Sequence, residues 1–376
     1  MPPAPRVLVA DDQTDILQAL RLLLMDAEFE TDLVNSVGGV MDRLGERPYD
    51  LLLMDLNYTR DTTSGGEGLA LIERVRARDA LLPIVVMTGW GNIEIAVEAM
   101  RRGARSFVQK PWDDVTLIDV VRREIIEGQA IRRRDARVAR DYEDARQIQQ
   151  ALLPTVMPVI DGCDVAASWT PASEIGGDCY DVSKYSDTRL GLSIADVVGK
   201  GLPAALIMSN LQAAVRAFST VATEPWEICQ RVNRLLCRNI ASGKFVTFCF
   251  AVIDTAHRSI RYANAGHNPP ILLRADGRVD RLSPTGPVLG VTAEWTYSTG
   301  SWPIEAGDRL VCFTDGVTEA VSTADDEFGD DRLIDLLRDH RKDSPGVITR
   351  AVTDAVSAWT GGTRQDDVTL LVAALG

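Results

Sequence analysis

Residues 191–206 read GLSIADVVGKGLPAAL. An apolar run ends on Asp196, Gly199-Lys200-Gly201 turns the chain, and a helix-like segment begins at Leu202. A nucleotide cradle would need Gly-x-x-x-x-Gly-Lys followed by Ser or Thr. Counting back from Lys200, the first position is Ile194, and Gly201 follows the lysine, so the pattern fails twice. The weight falls on the carboxylate at the strand end, with the glycines turning the backbone.

That design recurs in the same half of the chain. Asp178 in EIGGDCYD, Asp315 in VCFTDGVTEA and Asp366 in RQDDVTLLV each stand beside a strand-like run. Four carboxylates converging from different strands repel one another unless cations lie between them. No histidine or cysteine accompanies them, and oxygen-only ligation points to Mg²⁺ or Mn²⁺. Two such ions roughly 3.5–4 Å apart can acidify a shared water for in-line attack on a phosphate ester. A serine nucleophile suits the sequence less well. Ser193 and Ser209 lack an obvious base, and the only histidines are His257, His267 and His340. His267, in NAGHNPP, is expected to cap a turn or brace a sheet rather than to act as an acid.

Working outward, strand-like runs dominate from Pro154 onward: LGLSIAD, FVTFCFAVID, SIRYANAG, RLVCFTD and DVTLLVAAL. Helices are expected near 202–217, 224–241 and 344–359, so this part reads as α+β, an antiparallel sheet sandwich flanked by helices. Before it, residues 113–153 are rich in Arg, Asp and Glu. Ile131, Val138, Ala145 and Leu152 fall seven apart, with Tyr142 interleaved and Asp135 and Gln149 on the same seam. That is a heptad hint of a helical, coiled-coil linker that pairs in a dimer, against a solvated connector helix.

Residues 1–125 alternate apolar runs (RVLVA, TDLVN, DLLLMD, PIVVMTG, SFVQK) with amphipathic segments such as DILQALRLLLMDA and NIEIAVEAMRRGA. This is the pattern of an α/β doubly wound, five-stranded parallel sheet, whose functional edge lies at the carboxyl ends of its strands. Asp11 and Asp12 end the first run and Asp55 the third, a crowding that a hydrated Mg²⁺ resolves. Thr88 ends the fourth run, and Lys110, before Pro111, the fifth. The expected domains are 1–125, a linker over 126–153, and 154–376.

Net charge is −14, which disfavours nucleic-acid binding through phosphate neutralisation and suits protein partners. No apolar run approaches the roughly 20 residues that span a bilayer, and the N-terminus lacks a signal-peptide pattern. No membrane partner is expected. The six cysteines show no CxxC spacing, which reads as buried thiols in a reducing cytoplasm.

The N-terminal constellation resembles the receiver domain of two-component response regulators. The resemblance implies that Asp55 accepts a phosphoryl group from a sensor histidine kinase. Asp11, Asp12, Asp55 and the Asn57 backbone would hold Mg²⁺. Thr88 and Lys110 would bond the phosphoryl oxygens, Phe107 would be the switch aromatic, and Lys110–Pro111 would be cis. The loop LNYTRDTTSGGEG after Asp55 is longer than the usual receiver pattern and lacks its Met-Pro.

The C-terminal part carries IQQALLP, PASEIGGDCYD, ADVVGKGLPAAL, YANAGHNPP, GPVLG, GDRLVCFTDGVTEA and RQDDVTLLV in order. It resembles the bacterial stress-response and sporulation branch of the PPM-type serine/threonine protein phosphatases. The resemblance implies that Asp196 bridges two Mg²⁺ or Mn²⁺ ions with the Val197 carbonyl nearby. Asp178 would complete one side, and Asp315 and Asp366 the other. Asp367 could stand in for Asp366, and Glu174 and Asp181 would support the fold. Where eukaryotic members have a histidine after the bridging aspartate, Lys200 stands here and is a candidate phosphate contact. The implied substrate is a phosphorylated anti-sigma-factor antagonist in a partner-switching pathway. Residues 201–218 would couple linker movement to the site. The rival expectation is a non-catalytic, phosphorylation-dependent adaptor, against which all four acidic positions survive.

Overall fold

The computed structural model describes residues 4–58, 66–89, 93–220, 223–241 and 243–376. The chain forms two compact units, Met1–Arg140 and Asp141–Gly376.

In the first unit, β1 (Arg6–Ala10), α1 (Thr14–Asp26), β2 (Glu30–Val34), α2 (Val37–Glu46), β3 (Leu51–Asp55), α3 (Gly66–Arg78), β4 (Ile84–Thr88), α4 (Ile93–Arg101) and β5 (Ser106–Gln109) alternate strictly. The strands pair in parallel in the order β2-β1-β3-β4-β5. β3 and β4 are buried along their whole length, which is why their sequences run apolar without alternation. Their residues divide between two apolar clusters, one on each face of the sheet. Most of the long loop after Asp55 lies outside the described residues.

α5 (Asp114–Leu152) is a single helix of 39 residues that begins in the first unit and ends in the second. The expected boundaries at 125 and 153 therefore fall within and just after one continuous element. Val138 and Tyr142 are exposed, but Gln149 is buried.

The second unit contains β6 (Cys163–Thr170), β7 (Cys179–Lys184), β8 (Arg189–Val197), α6 (Leu202–Phe218), α7 (Pro225–Asn239), β9 (Val246–Asp254) and β10 (Ser259–Ala265). After them come β11 (Ile271–Leu273), β12 (Val279–Arg281), β13 (Gly300–Pro303), β14 (Arg309–Phe313), α8 (Asp315–Thr318), α9 (Gly329–Asp339), α10 (Pro345–Trp359) and β15 (Val368–Leu375). Two five-stranded antiparallel sheets result, β13-β10-β9-β8-β7 and β12-β11-β14-β15-β6. Alternation decides the layers. Leu310, Cys312, Leu371 and Ala373 share the inter-sheet core with the first sheet, α6 and α7. Val311, Phe313, Leu370 and Val372 face outward beneath α9 and α10.

The sequence reading missed β6, β7, the short β11–β13, α8 and α9. The six cysteines are unpaired and five are buried. Among the described residues no helix is long and apolar enough to cross a membrane.

Candidate functional site

Strand register brings the first acidic pair together. Cys179 pairs with Ala195, so the next step of the same antiparallel ladder sets Asp178 opposite Asp196. The second pair follows from the other sheet, where Phe313 pairs with Leu370 and the chain continues directly into Asp315 on one side and back to Asp366 on the other. That ladder also places Gly316 against Asp367, and a Cβ on Gly316 would come within 1.9 Å of the Asp367 carbonyl oxygen. Only glycine lets the two backbones approach so closely.

Asp178 is buried, and its Oδ2 accepts from the hydroxyls of Thr314 (2.7 Å) and Thr369 (2.5 Å) of the opposite sheet. These threonines were not singled out in the sequence, although each is a polar residue interrupting an apolar strand run. Asp196, set opposite Asp178 by the ladder, also lies in the field of Asp315 and Asp366. The Val197 carbonyl opens toward Gly177, 3.0 Å from where a Cβ there would sit.

Asp366 and Asp367 take different roles. Asp366 is exposed and pairs with Lys200 Nζ at 3.1 Å; Lys200 also donates to the Gln365 carbonyl. Asp367 is buried, and its carboxylate accepts from the backbone N–H groups of Ala172 (2.8 Å), Gly177 (2.6 Å) and Asp178 (3.3 Å). It holds the loop that presents Asp178. Asp181 pairs with Arg216 Nε at 2.7 Å, whereas Glu174 is exposed. A cavity of about 130 Å³ lined by Lys200, Asp315, Glu319, Arg364 and Asp366 adjoins the acids.

His267 is fully buried. Its Nδ1 meets the Thr247 hydroxyl at 2.8 Å, and Thr247 is the cross-strand partner of Asp196. Burial pushes its imidazole down to about 4, so it is neutral at physiological pH. Its backbone N–H donates to Asn264 Oδ1, the brace expected of NAGHNPP.

Burial, then the charges of Asp196 and Asp367, hold Asp178 well above the usual carboxylate range. Burial, then Asp315 and Asp366, push Asp196 up to about 7. Burial and Asp366 likewise raise Asp315. Oxygen donors that resist ionisation until positive charge arrives are a donor set for hard divalent cations, and these residues fit that role.

Between about pH 4 and 7 Asp196 is protonated in the metal-free fold but ionised in the unfolded chain, so the metal-free fold loses stability as pH rises through that window. Cation binding must displace the proton, so affinity falls as pH drops below about 7. The Mn²⁺ concentration for half-maximal p-nitrophenyl phosphate hydrolysis is expected to rise about fivefold from pH 7 to 6, one proton competing per site with half of it already bound at pH 7. A flat profile would place the proton elsewhere.

In the first unit, the carboxylates of Asp11, Asp12 and Asp55 offer oxygens within 4.8 Å of one another, the only such triad among the described residues. Lys110 Nζ bridges Asp11 (2.7 Å) and Asp55 (2.9 Å). Burial raises the Asp55 carboxyl, against the pull of Lys110. The Leu56 N–H donates to Asp55 Oδ1 at 2.8 Å. Thr88 is buried with its hydroxyl on the Gly89 carbonyl, Phe107 is 48% exposed, and Lys110–Pro111 is cis.

Comparison with known proteins agrees with this division. Residues 186–376 match the family described as Stage II sporulation protein E (SpoIIE), and residues 7–122 match the response regulator receiver domain. Protein IcfG of Synechocystis sp. is 30% identical over 61% of this chain and 41% of its own length. Phosphoserine phosphatase RsbU of Bacillus subtilis is 30% identical over 65% of this chain and 73% of its own length. The chain thus spans less than half of IcfG but nearly three quarters of RsbU. The solved SiaA-PP2C domain of Pseudomonas aeruginosa, 21% identical, superposes with a TM-score of 0.57 over 64% of this chain and 98% of that one, a likeness of fold.

Proposed function

The chain belongs to the stage II sporulation protein E family, and on that premise we propose that it is a response regulator whose output is metal-dependent hydrolysis of phosphoserine or phosphothreonine on a protein. One observation carries the reading: the strand registers set Asp178 opposite Asp196 on one sheet and lead to Asp315 and Asp366 at the end of the other, and Asp196 feels the charges of Asp315 and Asp366. Asp196 would bridge two Mg²⁺ or Mn²⁺ ions, with Asp178 and the Val197 carbonyl on one side and Asp315 and Asp366 on the other. Divalent cations bound there would supply Lewis-acid activation of water and neutralise charge developing on the phosphoryl group.

The chain's own residues supply the rest. Thr314 and Thr369 fix the orientation of Asp178, and Asp367 fixes its backbone. Lys200 and Arg364, at the cavity beside Asp315 and Asp366, offer positive charge to an incoming phosphate. His267, buried behind the strand that carries Thr247, does not protonate the departing oxygen.

In the receiver, Asp55 would be the phosphoacceptor, with Asp11, Asp12 and the Asn57 backbone holding Mg²⁺. Thr88 and Lys110 would bond the phosphoryl oxygens, and Phe107 would turn inward with Thr88. A sensor histidine kinase would supply the phosphate, in the cytoplasm, to a dimer paired through α5. Coupling through 201–218 is supported by α6 itself, where Gln212 and Arg216 both donate to the Leu152 carbonyl at the end of α5. The favoured substrate is a small phosphorylated anti-sigma-factor antagonist.

The test is hydrolysis of such a phosphoprotein with Mn²⁺, comparing Asp55-phosphorylated chain, unphosphorylated chain and Asp55→Ala. Phosphorylation is expected to change the rate severalfold, and Asp55→Ala to be insensitive to a phosphodonor. Equal rates in all three would reduce the receiver to a docking module. No turnover of any phosphoprotein, with binding retained, would favour the adaptor.

A further inference from the structure

A turn of one sheet and a loop of the other meet at a single lysine. Lys200 lies three residues past β8, and its Nζ stands 3.1 Å from Oδ2 of Asp366, two residues before β15. It also donates to the neighbouring Gln365 carbonyl. β8 and β15 belong to different sheets. The ammonium is therefore a clasp between the turn that follows Asp196 and the loop that carries Asp366.

Both oxygens of Asp366 already hold a donor. Oδ1 accepts from the Asp367 N–H at 2.9 Å, and Oδ2 is taken by Lys200. The first donor is backbone and leaves only if the loop moves. The second is the half-exposed end of a flexible four-carbon stem, and it can swing away alone. The same ammonium acts on Asp315: burial and then Asp366 raise that carboxyl, while the Gly316 N–H and Lys200 draw it down. Lys200, Asp315, Asp366 and Arg364 line one cavity. An ammonium and a divalent cation that share one carboxylate repel each other, so each weakens the other's hold on it.

We infer that Lys200 competes with a divalent cation for Asp366, and is free to meet an incoming phosphoryl group only once it has released that carboxylate. The inference rests on the reading of Asp366 as a cation ligand, and it gives the lysine two opposed positions rather than one. Removing its charge then has two effects of opposite sign. Asp366 is freed, so the cation binds more tightly; the phosphoprotein loses a charged contact, so its KM rises. A lysine placed only to meet phosphate would produce the KM effect alone. A lysine that merely joins two loops would, on its loss, weaken cation binding.

The experiment uses the full chain with Asp11→Asn, which disables the receiver's own acidic triad, and reads Mn²⁺ binding by calorimetry and by electron paramagnetic resonance. Lys200→Gln is compared with two controls. Arg364→Gln removes a positive charge from the same cavity but leaves the Lys200–Asp366 pair in place, and Lys200→Arg keeps the charge on the pair. Lys200→Gln is expected to tighten Mn²⁺ binding about fivefold or more, with both controls within about twofold of the parent. A folding defect weakens binding and cannot imitate a gain. At saturating Mn²⁺, the KM of a phosphoserine protein is expected to rise about tenfold in Lys200→Gln. Unchanged or weaker Mn²⁺ affinity in Lys200→Gln, equal tightening in either control, or a KM that does not rise would overturn the inference. Absence of Mn²⁺ binding by the parent would instead remove Asp366 as a ligand, and the inference with it.

Discussion

Asp196→Asn is expected to lower phosphoserine hydrolysis by roughly a thousandfold or more, equivalent to about 4 kcal/mol of barrier, while stabilising the metal-free protein. Both effects follow from its place among the acids. Burial, and then the charges of Asp315 and Asp366, push the Asp196 carboxyl up to about 7. Asparagine keeps the size and one oxygen but removes the charge, so the mutual repulsion of the metal-free cluster drops. The same change removes the anionic donor common to the two acidic pairs. Activity and stability should therefore move in opposite directions, which a folding defect would not produce. Hydrolysis of a phosphoserine protein with Mn²⁺, beside urea unfolding of the metal-free chain, reads both. Undiminished turnover would remove Asp196 from the site.

Asp367→Ala should produce the contrasting result. The lost carboxylate leaves the N–H groups of Ala172, Gly177 and Asp178 without their acceptor beneath a buried surface. The expected cost is on the order of 3–5 kcal/mol of stability, since buried donors are stranded, and the Asp178 loop loses its anchor. Asp366→Ala, one residue earlier, removes an exposed carboxylate whose partner is the half-exposed Lys200. It should leave the unfolding midpoint nearly unchanged and abolish hydrolysis. Two adjacent aspartates with opposite phenotypes in unfolding and in turnover would separate scaffold from ligand. A larger stability loss in Asp366→Ala would reverse the assignment.

The sequence was most legible where a residue's neighbours along the chain are also its structural context. Asp55 and Thr88 read as strand ends because unbroken apolar runs stop at them, and Lys110 because it precedes a proline. α6, α7 and α10 carried helical patterns long enough to place within a few residues. β6 and β7 did not, because their half-polar patterns resemble loop. Gln149 read as a flaw in a heptad seam, whereas its amide is consumed by the backbone N–H and C=O of Gly176, 27 residues away.

Taken alone, then, the sequence determined the two fold classes, the acidic residues at their strand ends and the oxygen-only character of both clusters. Composition, periodicity and the side-chain chemistry of single positions are local properties. The tertiary structure alone decided which of Asp366 and Asp367 faces the site, which hydroxyls orient Asp178, and what a buried glutamine at the end of a charged helix holds. Those depend on register between strands and on which backbone groups are left needing a partner. Neither is fixed until chain segments more than a hundred residues apart have packed together.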